Sequence, residues 1–149
     1  KESAENLLVG IEDALDALGP YQTLRLHGDC HLGNLLWREG HVHFVDLDDS
    51  VNGPAIQDLW MLLSGNENEQ AWQLEQLLEG YSTFRDFDWN EVRLIEPLRS
   101  LRLLHYHAWI ARRWQDAAFP RAFPDFGTPR YWSEALLQLD EQRSALGLT

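Results

Sequence analysis

The chain has 149 residues, of which 44% are hydrophobic and 24% charged, and its formal net charge is −12. This composition is typical of a globular domain with a core, and it excludes a disordered chain, which would combine low hydrophobicity with high charge. An acidic chain without a basic cluster is a poor partner for nucleic acid. No apolar run reaches the roughly 20 residues of a membrane-spanning helix. We therefore expect neither nucleic acid nor a membrane as a partner.

Cysteine and lysine occur once each, as Cys30 and Lys1. A single cysteine cannot form an internal disulfide bond, which fits a reducing compartment. The first ten residues contain acidic side chains and no long apolar stretch, so they do not resemble a signal peptide. We expect a cytoplasmic, monomeric protein. A reaction that needs a catalytic or binding lysine other than Lys1 must obtain it from outside this chain. We therefore expect the chain to be part of a longer protein.

In the first third of the chain, the spacing of apolar residues changes from that of a helix to that of a strand. Apolar residues at helical spacing predict a helix from Ser3 to Leu18, and the alternation that follows predicts a short strand. A polar, glycine-bearing loop comes next, and two apolar segments around a Glu39-Gly40 turn predict a β-hairpin. The strand covers residues 24–26 and the loop 27–34. The hairpin segments cover 35–37 and 42–45, and a turn-rich stretch follows at 47–54.

The rest of the chain is predicted to be helical. Pro54 suits the first position of a helix that ends before Gly65, and Pro97 is expected to kink or split a long helix. Prolines and phenylalanines between Asp116 and Arg130 predict a packed loop, because exposed aromatic side chains would be costly. The predicted helices cover residues 54–64, 69–84, 90–114 and 131–146.

Polar side chains converge at the mouth of the predicted hairpin. Asp29 follows the first strand, and Asn34 opens the hairpin five positions later. A turn centred on Glu39-Gly40 would place Asn34 across from Val45 or Asp46. Two carboxylates and one amide at one place make an oxygen-only site, which suits Mg²⁺ rather than zinc.

These residues also carry a resemblance. The run His27–Asn34, His-Gly-Asp-Cys-His-Leu-Gly-Asn, resembles the catalytic loop of the aminoglycoside phosphotransferase and choline kinase-like family. Phe44–Leu47 resembles the family's metal-binding segment, and Gly53-Pro54 followed by Asp58-Leu59 resembles its next helix. A wider likeness, over most of the chain, is to bacterial stress-response Ser/Thr protein kinases of this fold. It is carried by residues 24–27, 36–38, 58–63, 94–99 and 112–114.

The resemblance implies a role for each matching residue. Asp29 would be the catalytic base that accepts the proton of the acceptor hydroxyl. Asn34 and Asp46 would bind Mg²⁺ and, through it, the phosphates of ATP. His31 would face the transferred phosphoryl group and count with Asp29 as catalytic.

Three further residues are expected to be structural anchors. His27 would hold the loop by hydrogen bonds, and Gly28 would let the backbone pass closely. Asp58 lies among apolar residues of a helix, so its carboxylate should be largely buried and needs hydrogen-bond donors. The nearest candidates are the backbone N–H groups of residues 27–29.

The implied fold is mainly α with a small β-hairpin, the C-terminal lobe of a protein-kinase-like fold. It divides into a lead-in helix (residues 1–20), a catalytic loop with a metal-binding hairpin (21–53) and a helical subdomain (54–149). The ATP-binding lysine and the glycine-rich loop would belong to an N-terminal lobe that this chain lacks. We therefore expect the chain to be inactive by itself.

The function implied is an ATP- and Mg²⁺-dependent phosphotransferase, a Ser/Thr protein kinase with a stress-response role that transfers the γ-phosphate of ATP to an acceptor hydroxyl. The alternative on the same fold is a small-molecule kinase with an aminoglycoside, choline or homoserine-like acceptor. Residues alone do not decide between these acceptors.

Two more distant readings come from other classes. Asp46-Leu47-Asp48 after a hydrophobic strand also fits a haloacid dehalogenase-type phosphatase, with Asp46 as nucleophile. Such an enzyme needs a downstream cation, usually lysine, and no lysine follows Lys1. A non-catalytic, pseudokinase-like module is the other reading, and the intact Asp29 and Asn34 argue against it. For Cys30 a buried, inert thiol is favoured over a redox role, because thiolate chemistry needs a positive environment.

Overall fold

The computed structural model describes residues 2–148, with side chains from Ala4 onward. Within these residues the fold is mainly α with small antiparallel strand pairs, which confirms the predicted fold class. The helices are α1 (Glu2–Leu18), α2 (Ile56–Trp60), α3 (Glu67–Ser82), α4 (Ile95–Arg112), α5 (Ala118–Ala122) and α6 (Pro129–Ala145). The strands are β1 (Leu24–Leu26), β2 (Leu35–Arg38), β3 (His41–Phe44) and β4 (Val51–Gly53). Three 3₁₀ helices span Leu32–Asn34, Leu47–Asp49 and Trp89–Leu94.

The chain divides into two compact units, one made of Leu18–Ile95 and the other of the segments up to Ala17 and from Glu96 onward. The second unit has a hydrophobic cluster that joins three helices of the chain. Leu7 and Ile11 of α1 pack there with Leu139 of α6, and all three are buried. The partly buried residues Leu15, Leu103, Leu104, Leu146 and Leu148 pack around them.

The predicted hairpin is present in the Leu18–Ile95 unit. Leu35 pairs with Phe44 and Arg38 with His41, so the turn is Glu39-Gly40 as predicted. Both turn residues have positive φ, 52° and 81°, which is the geometry that matches the right-handed twist of a two-residue hairpin. Because this register is set locally, the sequence could predict it.

The second strand pair was not predicted. β1 lies antiparallel to β4, with Leu24 paired to Gly53 and Leu26 to Val51. The stretch predicted to be turn-rich, residues 47–54, therefore also contains a strand, Val51–Gly53. Three residues around a polar Asn52 give no alternating pattern, and the strand exists because β1 supplies its hydrogen-bond partners.

Helix boundaries differ from the predictions at several points. α2 ends at Trp60, since Leu62 and Leu63 bond back to Leu59 and Trp60 in tighter 3₁₀ turns. The long predicted helix is split as expected, into the 3₁₀ helix Trp89–Leu94 and α4, with Pro97 in the first turn of α4.

The segment between Asp116 and Arg130 is packed, as predicted, but it is not all loop, because α5 lies within it. Its aromatic side chains supply the packing. Phe119 is buried, with its ring centroid 4.8 Å from that of Trp109, and Phe126 lies 4.7 Å from Trp114. No helix among residues 2–148 is long and apolar enough to cross a membrane.

Candidate active site

The loop after β1 is held by the carboxylate of Asp58. Oδ2 accepts a hydrogen bond from the backbone N–H of His27 at 2.7 Å, and Oδ1 accepts one from Gly28 at 2.9 Å. The predicted anchoring geometry is therefore present, although the Asp58 side chain is half-buried rather than largely buried. Gln57, the preceding residue of α2, adds a bond from Nε2 to the Gly28 carbonyl at 3.3 Å.

His27 links this loop to the end of the hairpin. Its buried ring lies with Nε2 2.8 Å from the carbonyl oxygen of Val45, and its Nδ1 accepts the backbone N–H of Asp29 at 3.4 Å. A carbonyl oxygen can only accept, so Nε2 donates to Val45, and the contact from the Asp29 N–H gives Nδ1 the acceptor role. One imidazole thus fixes Asp29 relative to Val45 and hence to Asp46, the next residue.

Asp29, His31 and Asn34 meet in this loop. The Asp29 carboxylate is 23% exposed, with His31 Nε2 at 3.4 Å and Asn34 Nδ2 at 3.5 Å from its Oδ2. His31 Nδ1 accepts the Gly33 backbone N–H at 3.0 Å, which turns its Nε2 toward Asp29. The same Asn34 amide group donates to the Asp29 carbonyl at 2.9 Å. The geometry leaves Asp29 oriented and open to solvent on one side.

Asn34 and Asp46 lie at the two ends of the hairpin, as the register predicts. The Asn34 carbonyl accepts the Val45 backbone N–H at 3.0 Å. Asp46 follows with a left-handed backbone (φ 63°, ψ 63°), a conformation that aspartate tolerates better than most residues. Its exposed side chain makes no capping bond to the 3₁₀ helix Leu47–Asp49.

The donor set at this position is compatible with Mg²⁺. Among the described residues, hydrogen bonds engage only the NH₂ group of the Asn34 side chain, and none is donated to its amide oxygen. Among the side chains that the structure describes, from Ala4 to Leu148, no three His, Cys, Asp or Glu residues are grouped to hold a metal ion by themselves. Mg²⁺ commonly takes only one or two protein carboxylates and completes its shell with water and substrate phosphates. The Asn34 amide oxygen and the Asp46 carboxylate fit that pattern.

Gly28 brings the loop that follows β1 against the segment that follows Asp46. Its φ is +88°, a conformation that residues with a Cβ rarely adopt. A Cβ at this position would lie 2.1 Å from the carbonyl oxygen of Asp49. The close backbone passage predicted for Gly28 is present, and it requires glycine.

Cys30 is buried at 4% exposure, directly after Asp29. Burial, together with the negative charges of Asp58 and Asp29, raises the pKa of its thiol from 9.0 to about 11. The thiol is therefore protonated at neutral pH, and its surroundings are those of an inert cysteine.

Two residues of this region were missed by sequence reasoning. Gln57 could have been noticed, because it adjoins Asp58 on the same helix. Glu91 could not, since it comes 35 residues after Ile56, whose backbone N–H donates to its Oε2 at 3.0 Å. Nothing in the local sequence around Glu91 indicates that long-range bond.

The structure thus places an anchored loop with an oriented aspartate near Asn34 and Asp46, and comparison with known proteins gives the family of the chain. The chain belongs to the phosphotransferase enzyme family, whose pattern matches residues 1–95. It is 56% identical to stress response kinase A of Salmonella paratyphi A over 126 residues. The corresponding values are 54% for stress response kinase A of Escherichia coli and 55% for the serine/threonine protein kinase RdoA of Salmonella typhimurium.

Each of these alignments covers 85% of this chain and 38% of the relative. The chain therefore spans well under half the length of the relatives it matches. The family resemblance predicted from the motifs is confirmed, and with it the kinase-like fold class.

Proposed function

We propose that this chain is the catalytic-loop lobe of an ATP- and Mg²⁺-dependent Ser/Thr protein kinase that acts in the cytoplasm. The observation that carries the proposal is the placement of Asp29, a half-buried carboxylate flanked by His31 and Asn34 on a loop tied to Asp58. The names of the relatives support a protein acceptor, because they are kinases and one is called a serine/threonine protein kinase.

In this proposal Asp29 orients the acceptor hydroxyl and accepts its proton as the phosphoryl group is transferred. His31 Nε2 and the Asn34 amide keep the carboxylate pointed at the acceptor. The Asp29 side chain has no part in binding the nucleotide, so its role is confined to the acceptor side of the reaction.

Asn34 and Asp46 would hold the metal through the amide oxygen and the carboxylate. When bound, Mg²⁺ supplies positive charge that offsets the phosphates of ATP. That charge matters in a chain with a net charge of −12, which by itself repels a polyanion. The Asp46 carboxylate makes no capping bond to the 3₁₀ helix that follows, so it is not engaged there.

The proposal is tested on the natural full-length protein, incubated with ATP labelled at the γ-phosphate, Mg²⁺ and casein or the protein itself as acceptor. We expect Asp29→Asn to lower turnover by about 10²- to 10⁴-fold, the usual contribution of a general base, with unchanged affinity for ATP. Asp13→Asn, an exposed position on α1 with the same change of charge, should retain full turnover.

Each other result has a definite meaning. Near-normal turnover of Asp29→Asn would remove Asp29 from its role. Transfer to kanamycin, choline or homoserine but not to protein would replace the protein kinase with the small-molecule kinase. No transfer from ATP to any acceptor by the wild-type protein would favour the non-catalytic module.

A further inference from the structure

Glu91 is a buried carboxylate with no part in the site described so far. It lies in the 3₁₀ helix Trp89–Leu94 and is 3% exposed. Its Oε2 accepts the backbone N–H of Ile56 at 3.0 Å. Burial raises its pKa, while the backbone amides of Ile56 and Ala55 act in the opposite direction by stabilising the charged form.

The bond from Ile56 places Glu91 at the beginning of α2, the helix that carries Asp58. α2 has five residues, too few for a helix to be stable through its own hydrogen bonds. Its position must therefore come from contacts with the rest of the unit. Asp58 lies two residues after Ile56, and both of its oxygens are engaged by the backbone of His27 and Gly28.

We propose that Glu91 is a positioning residue for the catalytic loop, acting through α2 and Asp58. Its carboxylate fixes the beginning of α2, α2 fixes Asp58, and Asp58 fixes the backbone that precedes Asp29. The inference rests on the proposed phosphotransferase function for its effect on turnover, but the mechanical link is a property of the fold alone.

Glu69, an exposed carboxylate in the same compact unit, offers a control for the loss of a bond at the beginning of a helix. Its carboxylate also accepts a backbone N–H at the beginning of a helix, from Asn66 at 2.8 Å ahead of α3. This bond holds the residue ahead of α3, whereas the Glu91 bond holds the first residue of α2, which carries Asp58. Loss of either carboxylate should lower stability, but only loss of Glu91 should disturb the loop.

The link is measured by hydrogen–deuterium exchange of the backbone amides of His27 and Gly28 in the full-length protein. We expect Glu91→Ala to speed their exchange by about tenfold, because loosening Asp58 exposes both amides to local opening. Glu91→Gln, which keeps an acceptor oxygen but loses the negative charge, should speed it by about threefold, and Glu69→Ala should leave it unchanged.

Turnover gives the second readout, at a temperature at which all variants are folded. Glu91→Ala should lower kcat by about tenfold without raising the KM for ATP, and Glu91→Gln should restore most of the loss. In an Asp58→Ala background, Glu91→Ala should have almost no further effect on kcat, since two residues acting through one contact are not additive.

Wild-type exchange at residues 27–28 in Glu91→Ala would overturn the inference. It would also be overturned if the fold-losses in kcat of Glu91→Ala and Asp58→Ala multiplied in the double variant. If Glu91→Ala does not fold, Glu91→Gln decides the matter, because unchanged exchange in that variant has the same meaning. A full-length protein in which Asp29→Asn stays active would instead contradict the proposed function, and the exchange experiment would still test the link.

Discussion

Asp58 and His27 lie 31 positions apart, yet the backbone N–H of His27 donates to the Asp58 carboxylate at 2.7 Å. The neighbouring Gly28 N–H bonds to the other oxygen of the same carboxylate. No strand or helix pairs these two donors in the 27–29 loop, so one side chain satisfies both. The stability of the loop and the placement of Asp29 therefore depend on the same residue.

The first prediction concerns Asp58. Asp58→Ala should lower thermal stability, because each buried N–H left without an acceptor costs about 1–3 kcal/mol. Since Asp58 is half-buried, we expect the lower end of that range. Turnover should fall as well, because the backbone that leads into Asp29 is released.

Thermal unfolding and steady-state kinetics of the full-length protein distinguish this mixed effect from a catalytic one. Asp58→Asn, which keeps one acceptor oxygen, should lie between the wild type and Asp58→Ala in both measurements. Asp13→Ala, exposed on α1, should change neither. If Asp58→Ala kept its stability and lost only turnover, Asp58 would have a chemical role instead.

The second prediction concerns the proposed metal ligands. Asp46→Ala and Asn34→Ala each remove one oxygen ligand, so both should raise the Mg²⁺ concentration at which activity is half-maximal. We expect the larger shift for Asp46→Ala, because it removes a full negative charge. Asn34→Ala also removes the two hydrogen bonds to Asp29, so it should lower the maximal rate even at saturating metal.

Titration of activity with Mg²⁺ separates the two effects. Asp48→Ala, an exposed acid two residues after Asp46, serves as the comparison for loss of a nearby charge. Variants at Asn34 and Asp46 whose metal dependence matches that of the wild type would assign both residues a structural role only.

Local features of this fold could be predicted from the sequence. The Glu39-Gly40 turn, the register of the hairpin and the span of α1 all follow from residues within a few positions of one another. The group formed by Asp29, Asn34 and Asp46 could also be proposed, because a hairpin of known register brings its ends together. In each case the determining interactions are short-range in sequence.

The missed features depend on partners far along the chain. β4 exists because β1, about 25 residues earlier, offers it hydrogen bonds. The bond between Glu91 and Ile56 joins two elements that packing brings together, and no spacing in the sequence marks it. α5 has only five residues and contains Pro120, so packing of the buried Phe119, rather than helix propensity, stabilises it.

The third prediction concerns Gly28. Gly28→Ala introduces a Cβ 2.1 Å from the carbonyl oxygen of Asp49 at a φ of +88°, so the two segments must move apart. Stability should fall by more than the roughly 1–2 kcal/mol that the left-handed backbone costs alone. Turnover should fall too, because Asp29 and Asp46 lie on the segments that separate.

Gly127→Ala is the matched control, since Gly127 has a φ of +84° and open space where its Cβ would lie. Gly127→Ala should lose only the stability that the left-handed backbone costs, because its Cβ meets no other atom, and it should retain turnover. Chemical denaturation and kinetics of both variants make the comparison. Equal losses of stability with normal turnover in Gly28→Ala would mean that the contact with Asp49 has no influence on the site.

The last prediction concerns the thiol of Cys30. Because burial and the charges of Asp58 and Asp29 raise its pKa from the ordinary value of 9.0 to about 11, the folded protein keeps the thiol protonated where the unfolded chain would lose the proton. The thiol's contribution to stability is therefore fully present below pH 9 and is lost as the pH rises to about 11. Cys30→Ala should remove that part of the pH dependence. The difference between the unfolding free energies of the wild type and Cys30→Ala, measured against pH, isolates the thiol from other titrating groups.

The same burial should make the thiol unreactive. Alkylation of the folded wild type by iodoacetamide at pH 8 should be slow, and Cys30→Ala should keep most of the turnover, since phosphoryl transfer needs no thiol here. A folded Cys30→Ala protein without turnover would instead give Cys30 a covalent or redox role.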